Sequence, residues 1–298
     1  MRIIVLTILA MLAFASNSVL VRMALQYTTI DAASFTTIRL VSGALVLLLV
    51  ARIANKSTNT NTNSGSWWSA VVLFVYAAGF SFAYVSLSTA TGALLLFGAV
   101  QGTMIFYGLW VGERLSKLQW AGLVLAFAGV LLLFLPGFSS TPPLFSSLLM
   151  IAAGVCWGVY SLRGKGVGDP VRISAGNFTR AVVFTLILSG LMLHKLSLDI
   201  IGVCYALASG ALMSGLGYVI WYRVMPQLKA IHAAIVQLSV PVIAALGGIA
   251  FLGESITLRL ALASSAILSG ITLVLIRQRS AQSKLRTLQL KSRHDVTE

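Results

Sequence analysis

Ten apolar stretches follow one another along this chain, at about 3–21, 33–53, 67–87, 89–111, 118–135, 144–162, 173–193, 200–224, 230–252 and 258–276. Each is close to the roughly 20 residues that a helix needs to cross about 30 Å of hydrocarbon. No other feature limits the fold so severely. Of the residues, 58% are apolar and 9% charged, against about 25% charged in a soluble domain. A water-soluble core has no means of hiding that much apolar surface, so the solvent is lipid. The net charge of +14 does not point to nucleic acid. The basic residues sit in short loops and in the tail, where membrane topology and anionic lipid account for them, and no basic stripe lies on a soluble face. Cys156 and Cys204 both fall inside apolar runs, as small packing residues without a disulfide framework.

The first stretch has the look of a signal peptide, with Arg2, an apolar run and Ala13-Phe14-Ala15. The apolar pattern continues through Val19-Leu20-Val21, however, and a similar stretch recurs at 154–162, so it reads as a retained span. Asn55 to Ser66 is a polar surface loop, and Trp67-Trp68 after it suits an interfacial anchor.

A short motif occurs twice. Leu-Trp-Val-Gly-Glu-Arg-Leu-Ser from Leu109 matches Ala-Phe-Leu-Gly-Glu-Ser-Ile-Thr from Ala250, and Gly112-Glu113 lies 141 residues before Gly253-Glu254. The same offset relates Arg22 to Arg163, Arg39 to Arg180 and Gly129 to Gly270. Such self-similarity marks a duplicated unit. Pro136-Gly137 and Pro142-Pro143 mark the joint, since neither dipeptide continues a helix. The chain divides into a first unit at 1–137, a second at 138–276 and a basic tail at 277–298.

Lys and Arg set the orientation. With the N-terminus inside, sixteen of them lie at cytoplasmic ends, six in the tail, and three, Arg22, Lys195 and Arg259, lie at outer ends. This positive-inside bias places both termini in the cytoplasm. Five spans per unit is an odd number, so the second unit is inserted upside down. Inverted repeats of this kind form one site at the midplane that opens to either side.

Together the residues resemble the EamA-like branch of the drug/metabolite transporter superfamily. The resemblance is carried by Leu-Ser-Thr-Ala-Thr-Gly-Ala-Leu-Leu from Leu87, Val-Gly-Glu-Arg-Leu-Ser from Val111, the run 122–133, Phe-Leu-Gly-Glu-Ser-Ile-Thr from Phe251, and Pro241 in the ninth span. It implies an all-α integral membrane protein of ten transmembrane helices, built as two inverted five-helix repeats. Spans one to four and six to nine would enclose a cavity, with spans five and ten outside as support or as a homodimer contact. One departure stands out: where the family often places a second proline, in the fourth span, this chain has Val100. The two units are then expected to bend unequally.

All seven Asp and Glu lie at span ends, in loops or in the tail, so no carboxylate relay of the kind that proton-coupled carriers keep in the membrane is visible. Glu113 and Glu254 read as parts of helix stops, each after a Gly and before a Ser116 or Thr257 N-cap, or else as gating or cation-binding groups. Arg39 and Arg180 lie inside apolar spans, where an arginine at the bilayer centre costs roughly 2.5–3.5 kcal/mol on insertion scales. They either snorkel to the surface or cap carbonyls of a neighbouring helix, or they face the cavity and attract an anionic group such as a carboxylate. Asn17, Tyr84, Gln101, Trp157, Tyr160, Trp221 and Gln237, with Tyr76, Asn177, Tyr218, Tyr222 and His232 beside them, supply the apolar faces and few polar groups that an organic solute needs. Each alone also fits an interhelical hydrogen bond. Trp157 and Tyr160 share a helix face and, with Asn17, form the preferred pocket.

The sequence holds no His-Glu-x-x-His, no Gly-x-Ser-x-Gly and no paired intramembrane acids, so neither an enzyme nor a resident metal or cofactor is expected. The expected partners are a small-molecule substrate and membrane lipid. The reading is a bacterial inner-membrane exporter of amino acids or similar metabolites, a solute class implied by the resemblance. An importer or exchanger of organic anions, a membrane enzyme and a channel are the alternatives.

Overall fold

In the computed structural model the described residues are 2–54, 65–112, 114–135, 141–164, 169–224 and 236–274. Glu113, His232, the polar run 55–64, the Pro136-Gly137 joint and the tail 277–298 lie outside them. Among the described residues every regular element is a helix, the only open-ended structure that satisfies its own backbone in lipid. Eight are long and apolar enough to span: α1 (Arg2–Tyr27), α2 (Ala32–Ala54), α3 (Trp67–Tyr84), α4 (Thr89–Trp110), α5 (Lys117–Phe134), α6 (Leu144–Arg163), α7 (Pro170–Leu191) and α8 (Ile200–Val224). Two more apolar helices are shorter, α9 (Ser239–Leu252) and α10 (Leu258–Val274).

Local chemistry sets the ends. Ser88 caps α4 by accepting from Thr91 N, Asp199 caps α8 through Gly202 N at 2.9 Å, and Thr257 Oγ1 caps α10 through Leu260 N at 3.2 Å. Asp169 caps α7, and Pro170 occupies its first turn, so α7 starts three residues earlier than its apolar run suggests. Gly112 and Gly253, the duplicated pair, take positive φ of 96° and 65°. That left-handed turn ends a helix at no cost only for glycine. α1 runs past the expected Val21 to Tyr27, because Arg22 turns to the carbonyls of Tyr84 and Val85, at 2.9 and 3.0 Å, instead of breaking the helix.

α2 packs along α7, α3 and α4 along α6, and α8 and α9 along α1, while α3 also meets α7 and α8 meets α2. α5 and α10 meet at Gly122 and Gly270, where a Cβ on either would lie within 2.6 Å of the other's carbonyl oxygen. α5 is the least buried of the long helices. Two helices depart from regularity. α8 widens into a π-helical segment at Ala208–Leu216. The helical ladder at the start of α9 breaks at Leu238, because Pro241 has no N–H to return to Gln237 O, four residues back. α4, with Val100 in place of proline, is continuous.

Candidate functional site

The polar centre of the bundle is Arg39 on α2. It is 1% exposed, so it does not snorkel. Its Nη2 donates to Tyr76 Oη at 3.0 Å and its Nε to Ser214 Oγ at 3.3 Å. Its guanidinium carbon lies 4.9 Å from the Phe80 ring centroid and 5.4 Å from that of Tyr76, within cation–π range. Among the described residues Nη1 has no partner and no carboxylate pairs with this arginine. Two helices bring Ser214 to it. α2 and α8 cross so closely that a Cβ on Gly210 would sit 2.1 Å from Arg39 O. The π-helical widening of α8 surrounds both Gly210 and Ser214, a feature frequent at functional sites.

Beside Arg39 is a cavity of about 20 Å³, bounded by Asn17, Tyr76, Phe80, Trp157, Ser214 and Tyr218 among others. It has room for about one water, so a solute enters only if helices part. Its walls are aromatic. Trp157 lies 5.0 Å from both Tyr76 and Tyr218, and Phe14 meets Trp157, Tyr218 and Trp221 edge-on at 6.0–6.4 Å. Asn17 Oδ1 accepts from Ser209 on the π segment. Tyr218 Oη, like Arg39 Nη1, is buried without a partner among the described residues.

Of the residues named from the sequence, Asn17 and Trp157 line one cavity, Arg39 lies behind its walls Tyr76, Phe80 and Ser214, and Trp221 joins through Phe14. Tyr160 stacks on Trp157 at 5.8 Å, but its hydroxyl accepts from Asn177 Nδ2 and it lines a separate cavity with Ser69, Arg163 and Tyr222. The expected trio of Asn17, Trp157 and Tyr160 is thus split across two cavities. Tyr84 is buried a turn beyond Phe80, donating to Thr89 O at 3.3 Å. Gln101 is buried one turn past Phe97, with Nε2 unpartnered. Gln237 is buried at the break before Pro241. Arg180 is half-buried at the mouth of α3, donating to Gly176 O and lying 5.9 Å from the Trp67 ring, away from Arg39. Sequence reasoning missed Phe14, Ser209 and Ser214. The Ser-Gly spacing of 209–215 was the available signal, but the π segment that turns it inward is not legible in composition.

The two ends of the bundle differ. At one, both oxygens of Glu254 accept from Thr89 N, at 2.9 and 3.0 Å, Thr89 Oγ1 donates at 3.2 Å, and Arg22 Nε lies 3.6 Å away. This single carboxylate ties α1, the start of α4 and the α9–α10 turn together. At the other, Arg163 Nε donates to Ser69 Oγ at 3.1 Å.

Eight apolar helices long enough to span, packed around a buried, aromatic-walled polar centre, define a multi-pass membrane protein. The model of the EamA-like transporter family matches residues 1–135 and 144–276, and the chain belongs to that family. An uncharacterized protein of Pseudomonas aeruginosa is 53% identical over 274 residues, covering 92% of this chain and 94% of its own. An uncharacterized transporter of Archaeoglobus fulgidus is 27% identical over 216 residues, covering 70% and 73%. A solved crystal structure superposes with a TM-score of 0.66 at 18% identity, covering 93% of this chain and 99% of the other, which shows the shared fold. Family and relatives make this chain a transporter rather than an enzyme.

Proposed function

We propose that the chain is a secondary transporter that exports amino acids or related small metabolites across the bacterial inner membrane by alternating access. Its ten spans form two inverted five-helix repeats, with both termini cytoplasmic. The packing supports the repeats: the 141-residue offset exchanges α3 on α6 with α8 on α1, α4 on α6 with α9 on α1, and α3 on α7 with α8 on α2, while α2–α7 and α5–α10 map onto themselves. These principal contacts fall in pairs related by the offset, as an inverted repeat built for alternating access would give. On this orientation the Glu254 end faces outward.

The observation that carries the solute site is the idle donor of Arg39. A buried cation without a carboxylate partner is expensive, and it is worth keeping if a substrate carboxylate completes it. The aromatic wall of Trp157, Tyr76 and Tyr218 then receives the apolar part of the solute, and Asn17 orients it. An exchanger of organic anions rests on the same idle donor.

The test is flux of labelled amino acids by purified protein in liposomes, with and without a proton gradient. Saturable flux of a carboxylate-bearing solute, lost in Trp157→Ala and Asn17→Ala, is expected. Full activity of both variants would falsify the pocket. Flux that proceeds only against a counter-solute selects the exchanger.

A further inference from the structure

The central site makes no use of Arg259, the second residue of α10. It is 4% exposed, buried at the Glu254 end of the bundle. Its Nη1 makes one long contact to Leu133 O at 3.5 Å, and its Nε and Nη2 have no partner among the described residues. The side chain borders a cavity of about 230 Å³, an order of magnitude roomier than the central one at about 20 Å³. Ser86, Ser88, Thr91, Ser255 and Thr257 line the same cavity, and among the described residues no carboxylate does. Glu254, next to Ser255 in the chain, is already held by Thr89 and Arg22.

The backbone adds to the positive field. α4, α6 and α10 all begin at the rim of this cavity, at Thr89, Leu144 and Leu258. Helix starts carry partial positive charge and unpaired N–H groups. Pro143, which precedes α6, offers no side-chain cap. The starts of α4 and α10 are already held, by Glu254 on Thr89 N and by Thr257 on Leu260 N. The two idle donors of Arg259, the lining hydroxyls and the uncapped start of α6 share one property, that each is completed by oxygen atoms bearing negative charge.

We propose that this cavity binds a phosphate-type oxyanion, with Arg259 as its charged receptor. The planar fork of arginine matches two oxygens of such a group at once, and the serine and threonine hydroxyls donate to the others. The volume falls below the roughly 300–1,000 Å³ of sites that enclose a whole organic ligand. It suits a single oxyanion group. The group arrives either on a phospholipid headgroup or as free phosphate. The assignment is independent of the Arg39 site.

The test uses the full chain purified in phosphate-free maltoside. Inorganic phosphate is titrated in one arm and phosphatidylglycerol in the other, at constant ionic strength, with the unfolding midpoint followed by tryptophan fluorescence. A saturable rise in Tm is expected. Affinity should fall roughly 10- to 100-fold in Arg259→Met, the loss of charge-assisted hydrogen bonds. Ser255→Asp, at an exposed position of the rim, should weaken binding by repulsion without disturbing the core. It decides the matter if Arg259→Met does not fold. A response to phosphate alone assigns the free ion, and a response to phosphatidylglycerol alone assigns the headgroup. No rise with either ligand, or an equal rise in the folded variants, overturns the proposal.

Discussion

Arg39 and Arg180 stand 141 residues apart at equivalent points of the sequence, yet the bundle treats them differently. Arg39 is sealed between α2, α3 and α8, with Tyr76 and Ser214 on two of its nitrogens and nothing on the third. Arg180 is half-buried beside Trp67 and turns back to a carbonyl of its own helix. The cause lies in the helices they face. α8 widens into a π segment that delivers Ser214, whereas α3, its counterpart, is regular throughout. Two arginines at equivalent sequence positions thus have different surroundings, one sealed and one half-buried.

The largest test of this difference is a paired substitution. Arg39→Ala should lower transport tenfold or more, equivalent to about 1.4 kcal/mol or more of lost transition-state binding, while Arg180→Ala should stay within about twofold. Initial rates in proteoliposomes, normalised to folded protein, read both. Equal losses would make the arginines equivalent and remove the asymmetry.

Gly210 tests the packing behind it. A Cβ there meets Ser42 Oγ and Arg39 O, and overpacking of that sort costs about 1–3 kcal/mol. Gly210→Ala should therefore lower the Tm in detergent, whereas Gly102→Ala, whose Cβ would meet nothing within 4 Å, should leave it unchanged. A neutral Gly210→Ala would mean that α2 and α8 do not cross this closely.

The bundle ends extend the comparison. Arg22 and Arg163 are also separated by the same offset, but only Arg22 meets a carboxylate among the described residues. Glu254→Gln removes a charge that organises Thr89 and Arg22, and should cost about 1.5 kcal/mol. Ser69→Ala should cost less. Denaturation midpoints of the two variants check the order.

The smallest effect concerns Asp31, which caps α2. Burial raises its pKa, but hydrogen bonds from Ser34, Ser197 and Ala33 outweigh that and hold the carboxyl below its ordinary value. A depressed folded pKa gives stability that is present above the unfolded value, near 3.8, and is lost as pH falls through the folded one. The Tm should drop on acidification below about pH 4, and Asp31→Asn should flatten that drop. An unchanged slope would remove Asp31 from the account.

Much of the architecture was legible because lipid imposes it. Apolar runs gave the helices, and the duplicated Gly112 and Gly253 gave two turns, since only glycine takes positive φ freely there. Pro241 signalled an interruption of its helix through its missing N–H. The candidate site was legible in parts. Asn17, Arg39 and Trp157 stood out as polar or aromatic residues in apolar runs, but nothing linked Arg39 to Tyr76, 37 residues on, or to Ser214, 175 residues on. Glu254 read locally as part of a helix stop, and its grip on Thr89 joins residues 165 apart.

What the sequence determined by itself was the solvent and the helices, because hydropathy and capping act over short range or by simple counting. The tertiary structure alone decided which arginine is sealed and which is not, that Tyr160 parts from Asn17 into another cavity, and that Arg259 borders empty space. These depend on how closely two helices approach and on one π-helical segment of α8. A shift of a few ångströms there changes every neighbour of a buried charge while leaving the apolar pattern of each helix untouched.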